Sequence, residues 1–193
     1  MSIRWKIDPA HSEIQFKVKH LMITTVTGYF KTFDLEVDTD TDDFNTAKRI
    51  EFTADIDSID TNNQQRDAHL KSADFFDASN HRQLKFVGRK FESNGDEAIL
   101  DGDLTIRGVT KPLAVKVELG GTVVDPYGQH KAGFTVTGKI SRKEFGLVWN
   151  AMTEAGHVVV SDDIKIHGEI QLVKQQEAEA APENKEATAA TNS

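Results

Sequence analysis

Cysteine is absent from this chain of 193 residues, and proline (4), tryptophan (2) and tyrosine (2) are scarce. Without cysteine the protein forms no disulfide bond and offers no thiolate to a metal. No apolar run reaches the roughly 18 residues of a membrane-spanning helix, and none of signal-peptide length follows the amino terminus. We therefore expect no stable membrane insertion and a cytoplasmic location, or a periplasmic one if a leader has been removed.

The charge balance limits the choice of macromolecular partners. The chain has 31 acidic and 23 basic residues, a formal net charge of −8, and no block of Lys and Arg. Nucleic acids and anionic membranes attract proteins through clustered basic residues, so neither is expected as the main partner. Residues 175–193 consist largely of Ala, Glu, Thr and Asn. With so little to bury, they are predicted to form a disordered tail behind a folded domain at residues 3–174.

Alternation of apolar and polar residues dominates the rest of the chain. In the clearest case, Ile14, Phe16 and Val18 alternate with polar side chains, which is typical of a strand with one buried face. A helix is predicted at residues 63–72, where Asn63 can cap the first turn. Gly28 is expected to permit a bend or bulge. Strands are predicted at residues 3–7, 12–19, 25–37, 49–56, 84–91, 98–106, 113–119, 134–140 and 164–172.

About eight short strands, each with one apolar face, predict an all-β fold that is either a closed barrel or a sandwich. Tight turns are expected at Asn94-Gly95 and at residues 125–128. We favour an eight-stranded antiparallel barrel, with one short helix and the disordered tail, because closure removes exposed edge strands. A barrel of this size can hold one small ligand.

Several short motifs follow one another over residues 3–173. They are Trp5-x-Ile7-Asp8-x-x-His11-Ser12 with Phe16, His20, Gly28 and Phe30, then Ser58-Ile59-x-Thr61, Arg66-Asp67-x-His69-Leu70, Asp74-Phe75-Phe76, Gly102-x-Leu104-Thr105-Ile106-x-Gly108-Val109-Thr110-Lys111-Pro112, Gly133-Phe134 and Arg142-x-x-Phe145-Gly146. In this order they resemble the motifs of the YceI-like proteins. The resemblance implies a lipocalin-like antiparallel barrel whose tunnel binds, and carries or stores, a long polyisoprenoid or similar amphiphile. It implies no catalytic site.

Strand parity, together with this resemblance, predicts the wall of the tunnel. Ala54 and Gly138 interrupt the bulk of the wall and are expected to leave room for a ligand. A polar head group would need partners near a mouth, for which Arg142, His69 and Trp149 are candidates. The predicted wall residues are Ile14, Phe16, Val18, Phe30, Phe52, Ala54, Ile56, Leu70, Phe75, Phe86, Phe134, Val136, Ile140, Phe145, Trp149, Ile164, Ile166 and Ile170.

Two other functions stay open at this point. Asp67 and His69 could serve an enzyme as acid and base, but helical residues two apart point in different directions. We instead expect Arg66 and Asp67 to pin the helix to neighbouring loops while Leu70 packs inward. Alternatively, the apolar faces could fill a solid barrel that serves as an interaction module. The sequence pattern does not distinguish a filled interior from a hollow one.

No cofactor or metal is expected. The seven histidines are scattered, and their spacing does not match a metal-binding motif. The expected partner is a long-chain lipid, and the sequence is also compatible with a homodimer.

Overall fold

The computed structural model of the protein describes residues 1–151 and 159–176. Apart from its first two residues, the predicted tail at 175–193 lies outside the described residues. The helix is α1, Gln64–Lys71. The strands are β1 Ile3–Ile7, β2 Glu13–His20, β3 Thr24–Phe30, β4 Phe33–Thr39, β5 Ala47–Asp55, β6 Ile59–Asp60, β7 Gln83–Asn94, β8 Glu97–Ile106, β9 Val109–Val124, β10 His130–Ser141 and β11 Val160–Lys174.

These segments form a closed antiparallel barrel. β1 with β2, β3 with β4, and β5 with β6 each make one barrel strand with a short interruption. The eleven segments therefore make eight barrel strands over the described ranges. Each barrel strand pairs with the next in the chain, and β11 closes the ring by pairing with both β1 and β2. The predicted eight-stranded antiparallel barrel is confirmed.

The strand predicted at residues 25–37 is interrupted after Phe30. At this point Lys31 N donates to Ser58 O (3.1 Å), and Asp55 N donates to Thr32 O (2.9 Å). The interruption therefore lies beside the 3₁₀ turn that separates β5 from β6. Of the bend or bulge expected at Gly28, the bulge is wrong, because β3 pairs with β2 through this residue without a change of register.

The hairpin turns form where the glycines predict them. Gly95 has φ of 66° between β7 and β8, and Gly128 has φ of 81° between β9 and β10. The second turn is stabilised by the Asp125 carboxylate, which accepts from Tyr127 N (2.8 Å) and Gln129 N (2.9 Å). The residues of each turn are therefore sufficient to specify these connections.

Helix α1 lies across one end of the barrel. Asn63 caps it by accepting a hydrogen bond from Arg66 N (3.0 Å), and the helix ends at Ser72. Leu70 packs against the larger of the buried clusters, as predicted. In the described part of the chain, no helix is long and apolar enough to cross a membrane.

A second buried cluster closes the opposite end of the barrel, and we call it the floor. The Trp5 ring packs on Phe44, with centroids 4.9 Å apart, and Phe44 meets Phe134 edge to face at the same distance. The Trp5 indole N–H donates to the Thr39 hydroxyl (3.1 Å). The floor comprises Trp5, Ile7, Val37, Ala132, Ile170 and Leu172, with Phe44 and Phe134 packed against it.

Candidate functional site

The barrel interior contains a cavity of about 620 Å³. This volume lies within the range of roughly 300–1,000 Å³ that is usual for small-molecule sites. Leu35, Ile50 and Ile170 line the cavity and also belong to the floor or pack against it. At the other end the lining includes exposed Asn63 and Gln65. The cavity is therefore closed by the floor and opens beside α1, at an end that we call the mouth.

Most of the predicted wall residues border this cavity. Fourteen of them do so: Ile14, Phe16, Val18, Phe30, Phe52, Leu70, Phe75, Phe86, Val136, Ile140, Trp149, Ile164, Ile166 and Ile170. The structure thus brings together side chains from β2, β3, β5, β7, β10 and β11 that are distant in sequence. Their contact with a ligand stays a prediction.

Four predicted wall residues do not border the cavity. Ile56 and Phe145 lie in 3₁₀ turns, where the strand alternation on which the prediction depended has ended. Ala54 is completely buried within the packed cluster that includes both of them. Phe134 has the expected inward parity, but it lies at the depth of the floor and packs on Phe44.

The expected gap above Gly138 is already filled. A β-carbon on this residue would lie 3.0 Å from both Ile166 Cδ1 and Val115 Cγ1. Gly138 therefore admits the neighbouring side chains and leaves no room for a ligand. Because Ala54 is buried in the core, it does not widen the cavity either.

Other wall residues were missed although the sequence pattern contains them. They are Leu35, Ile50, Leu84, Leu100, Leu104, Ile106, Leu113 and Val115. Ile50 and Leu84 share the parity of Phe52 and Phe86 on β5 and β7, so extending these two patterns by one step would have found them. The other six lie on β4, β8 and β9, from which no wall residue had been predicted. Leu147, Val159 and Val160 also line the cavity near the mouth. They lie outside the predicted strands, so no alternation pointed to them.

An aromatic group lies at the mouth. The His69 ring meets Trp149 edge to face, with centroids 4.6 Å apart, and meets Phe75 in the same manner at 5.1 Å. Its Nε2 is 2.8 Å from Asp74 Oδ2. His69 and Trp149, both candidate head-group partners, therefore border the cavity at one place.

Arg66 and Asp67 attach α1 to the end of the barrel. The Asp67 carboxylate accepts hydrogen bonds from Thr61 N (2.9 Å) and from the Thr61 hydroxyl. Arg66 Nε donates to Thr61 Oγ1 (2.8 Å), and its guanidinium also donates to Thr61 O. The predicted pinning role is confirmed. Because Asp67 binds Thr61 while His69 binds Asp74, these two side chains do not form the acid–base pair that an enzyme would need.

The nearly fully buried Arg142 side chain links residues at the mouth to the start of β11 through hydrogen bonds. Its guanidinium donates to four main-chain carbonyls, those of Leu147, Trp149 (2.8 Å), Val160 (3.2 Å) and Ser161 (2.9 Å). Burial lowers the pKa of Arg142 below its ordinary value. Arg142 also lines the cavity, and its role as a head-group partner stays a prediction.

The described residues contain no group of three or more His, Asp and Glu side chains placed to hold a metal ion. His167 pairs instead with Glu169, at 2.7 Å, and His11 with Asp8, at 2.8 Å.

The sequence of this chain is similar to a known domain family and to proteins of known sequence. The YceI-like domain profile matches residues 5–172. The chain is 38% identical over 172 residues to the UPF0312 protein of Staphylococcus epidermidis, a match that covers 88% of this chain and 96% of that protein. The UPF0312 protein of Staphylococcus aureus is 38% identical over 168 residues, covering 86% and 94%.

Solved structures share the architecture. A YceI protein from Campylobacter jejuni is 32% identical with a TM-score of 0.71, covering 82% of this chain and 90% of that one. BcnA from Burkholderia cenocepacia has a TM-score of 0.73 at 22% identity, covering 86% and 98%. A polyisoprenoid-binding domain from Saccharophagus degradans has a TM-score of 0.63 at 13% identity, covering 89% and 98%. The last two show the fold alone. The profile match over residues 5–172, together with the barrel and these relatives, shows that the chain belongs to the YceI-like domain family.

Proposed function

We propose that the protein binds and carries or stores a long-chain apolar ligand inside its barrel. The observation that carries this proposal is the cavity of about 620 Å³, whose wall is made mostly of Ile, Leu, Val and Phe. The ligand classes that fit are a polyisoprenoid, an isoprenoid quinone or a fatty-acid-like amphiphile. The polyisoprenoid-binding domain of the same fold is in keeping with the first of these.

An apolar wall is enough to hold such a chain. Burial contributes about 0.8 kcal/mol per CH₂ group, or roughly 16 kcal/mol for about twenty carbons. The loss of freedom on association costs about 4–15 kcal/mol. Because the floor closes one end, the chain enters through the mouth and leaves its head group there.

The proposal is tested by extracting the purified protein with organic solvent and identifying the extracted compounds by mass spectrometry. We expect a long-chain lipid in near-equal amount to the protein. Val136→Phe adds a ring within the cavity and is expected to reduce that amount severalfold. Val123→Phe places the same ring on the exposed part of the β9–β10 hairpin and serves as the matched control.

Two results would contradict the proposal. One is a folded Val136→Phe variant that retains as much lipid as the parent. The other is a parent protein that carries no lipid and takes up none of the added long-chain isoprenoids. In either case the cavity would not be a ligand site.

A further inference from the structure

The charged residues that line the cavity are all basic, although the chain as a whole is acidic. Lys19, Arg66 and Arg142 contribute to the wall. Among the described residues that form it, none is Asp or Glu. Since the chain contains 31 acidic and 23 basic residues, the composition alone would favour the opposite sign.

These three cations lie at the same end of the barrel. Lys19 is near the end of β2, Arg66 is in α1, and Arg142 follows β10. These elements surround the mouth, whereas the wall closer to the floor is apolar. A ligand that inserts its chain toward the floor would therefore place its head group beside the three positive charges.

None of the three has a carboxylate partner in the part of the chain that the structure describes. No carboxylate oxygen lies within 4.0 Å of Lys19, Arg66 or Arg142 there. On the outer surface, by contrast, Arg49 is bonded to Glu36 (2.9 Å) and Glu51 (3.0 Å). Within the described residues the three cations thus form no ion pair, although the Asp162 carboxylate, held by Ser141 Oγ and Lys143 N, is near enough to Arg142 for its charge to oppose the lowering of the guanidinium pKa by burial.

Among the three cations Arg142 is the one that is buried, because the residue is only 3% exposed. Main-chain carbonyls accept four of its five N–H groups. They supply dipoles and no net negative charge. A buried charge is costly unless it is paired, and at the edge of an apolar cavity its field is weakly screened. The fifth N–H of the guanidinium makes no hydrogen bond within the described residues.

We propose that the ligand is an anionic amphiphile, whose carboxylate or phosphate head lies at the mouth beside Arg142, Arg66 and Lys19 while its chain fills the cavity. This inference rests on the proposed binding function and narrows its ligand class. An anionic head compensates the positive charge of these side chains and accepts charge-assisted hydrogen bonds. An alcohol or a quinone head offers no such compensation.

The test uses three ligands that share one twenty-carbon isoprenoid chain and differ in the head: geranylgeranic acid, geranylgeranyl phosphate and geranylgeraniol. Their affinities for the full chain, freed of co-purified lipid, are measured by titration calorimetry at neutral pH. We expect at least one anion to bind about tenfold or more tightly than the alcohol. The preference should weaken as salt is added. The ratio of the two anions shows whether carboxylate or phosphate is preferred.

The outcomes separate the two proposals. Equal affinity for all three heads overturns the anionic ligand and leaves the binding function intact. Absence of binding for all three overturns the binding function itself.

Variants then locate the head group. Arg142→Gln removes the charge while retaining a hydrogen-bonding side chain, and it is expected to abolish the preference for the anions. If Arg142→Gln does not fold, Lys19→Gln is compared with Lys17→Gln, which lies on the same strand but does not line the cavity. Lys19→Gln should reduce the preference severalfold and Lys17→Gln should leave it unchanged. A folded Arg142→Gln that keeps the full preference, or equal behaviour of the two lysine variants, would place the head elsewhere.

Discussion

The ring of Phe16 lies directly over Gly28, its cross-strand partner in the β2–β3 hairpin. A β-carbon at residue 28 would lie 2.7 Å from Phe16 Cε1 and 2.8 Å from Cε2, and closer still to Cζ. The absence of a side chain at Gly28 thus leaves room for the tip of the Phe16 ring, whose centroid is 5.6 Å from that of Phe30.

Gly28→Ala is therefore expected to destabilise the protein by about 1–3 kcal/mol, because the added methyl group forces the ring or the strand to move. The free energy of unfolding in urea measures the effect. The matched control is the same substitution in a Phe16→Ala background, where the overlap is gone and the added cost should be small. An equal cost in both backgrounds would mean that Phe16 is not the cause.

A hydrogen bond between two buried side chains adjoins the apolar packing of the floor. Trp5 is 2% exposed and Thr39 is fully buried, and the indole N–H donates to the Thr39 hydroxyl. Thr39→Val keeps the volume but removes the acceptor, so we expect a loss of about 1–3 kcal/mol in the free energy of unfolding. Thr39→Ser keeps the acceptor and is the control. If the valine variant is as stable as the serine variant, the bond contributes nothing.

The turn between β2 and β3 contains two strained residues. Leu21 and Met22 have φ of 52° and 60°, a region that costs residues other than Gly, Asn and Asp roughly 1–2 kcal/mol. Met22 is 59% exposed, so little burial is lost by replacing it. Met22→Asn should raise the free energy of unfolding by about 0.5–1 kcal/mol. Ile23→Asn, at an exposed neighbour without positive φ, should give no such gain in the same urea titration.

Asp8 links the break between β1 and β2 to β11. Its carboxylate pairs with His11 Nδ1 (2.8 Å), and accepts from Ala10 N (3.1 Å) and the Gln171 side chain (3.3 Å). The hydrogen bond with His11 is the main cause that lowers the pKa of Asp8 below its ordinary value of 3.8, with help from Ala10 N–H and the charges of His11 and Lys131.

The pKa of Asp8 is lower in the folded protein than the ordinary value of 3.8 expected for the unfolded chain. The ionised carboxylate therefore stabilises the fold above pH 3.8, and this contribution is lost as the pH falls through the pKa of the folded state. Melting temperatures of the parent and Asp8→Asn should differ at neutral pH and converge in acid. Asp34→Asn, on an exposed carboxylate without an ion pair in the described chain, is the control. A difference that persists unchanged in acid would contradict the assignment.

Local sequence was sufficient for most of the strands, for the two hairpin turns and for the helix cap, but not for the interruption after Phe30 or for β6. Alternation determines which side chains of a strand point inward whatever its partner, which is why Phe16, Val136 and Ile166 were placed on the wall correctly. Gly95 and Asn63 act through the conformations and hydrogen bonds of their own few residues. Such signals are independent of the distant parts of the chain.

Only the tertiary structure decided which inward side chains border the cavity and which pack solid. Phe134 and Val136 have the same parity, but the pairing of β9, β10 and β11 sets their depth, which places the first in the floor and the second on the wall. The grouping of three basic residues on the cavity wall also arises from folding, because Lys19, Arg66 and Arg142 are far apart in sequence. The physical reason is that parity is a property of one strand, whereas depth and charge environment depend on the register between strands.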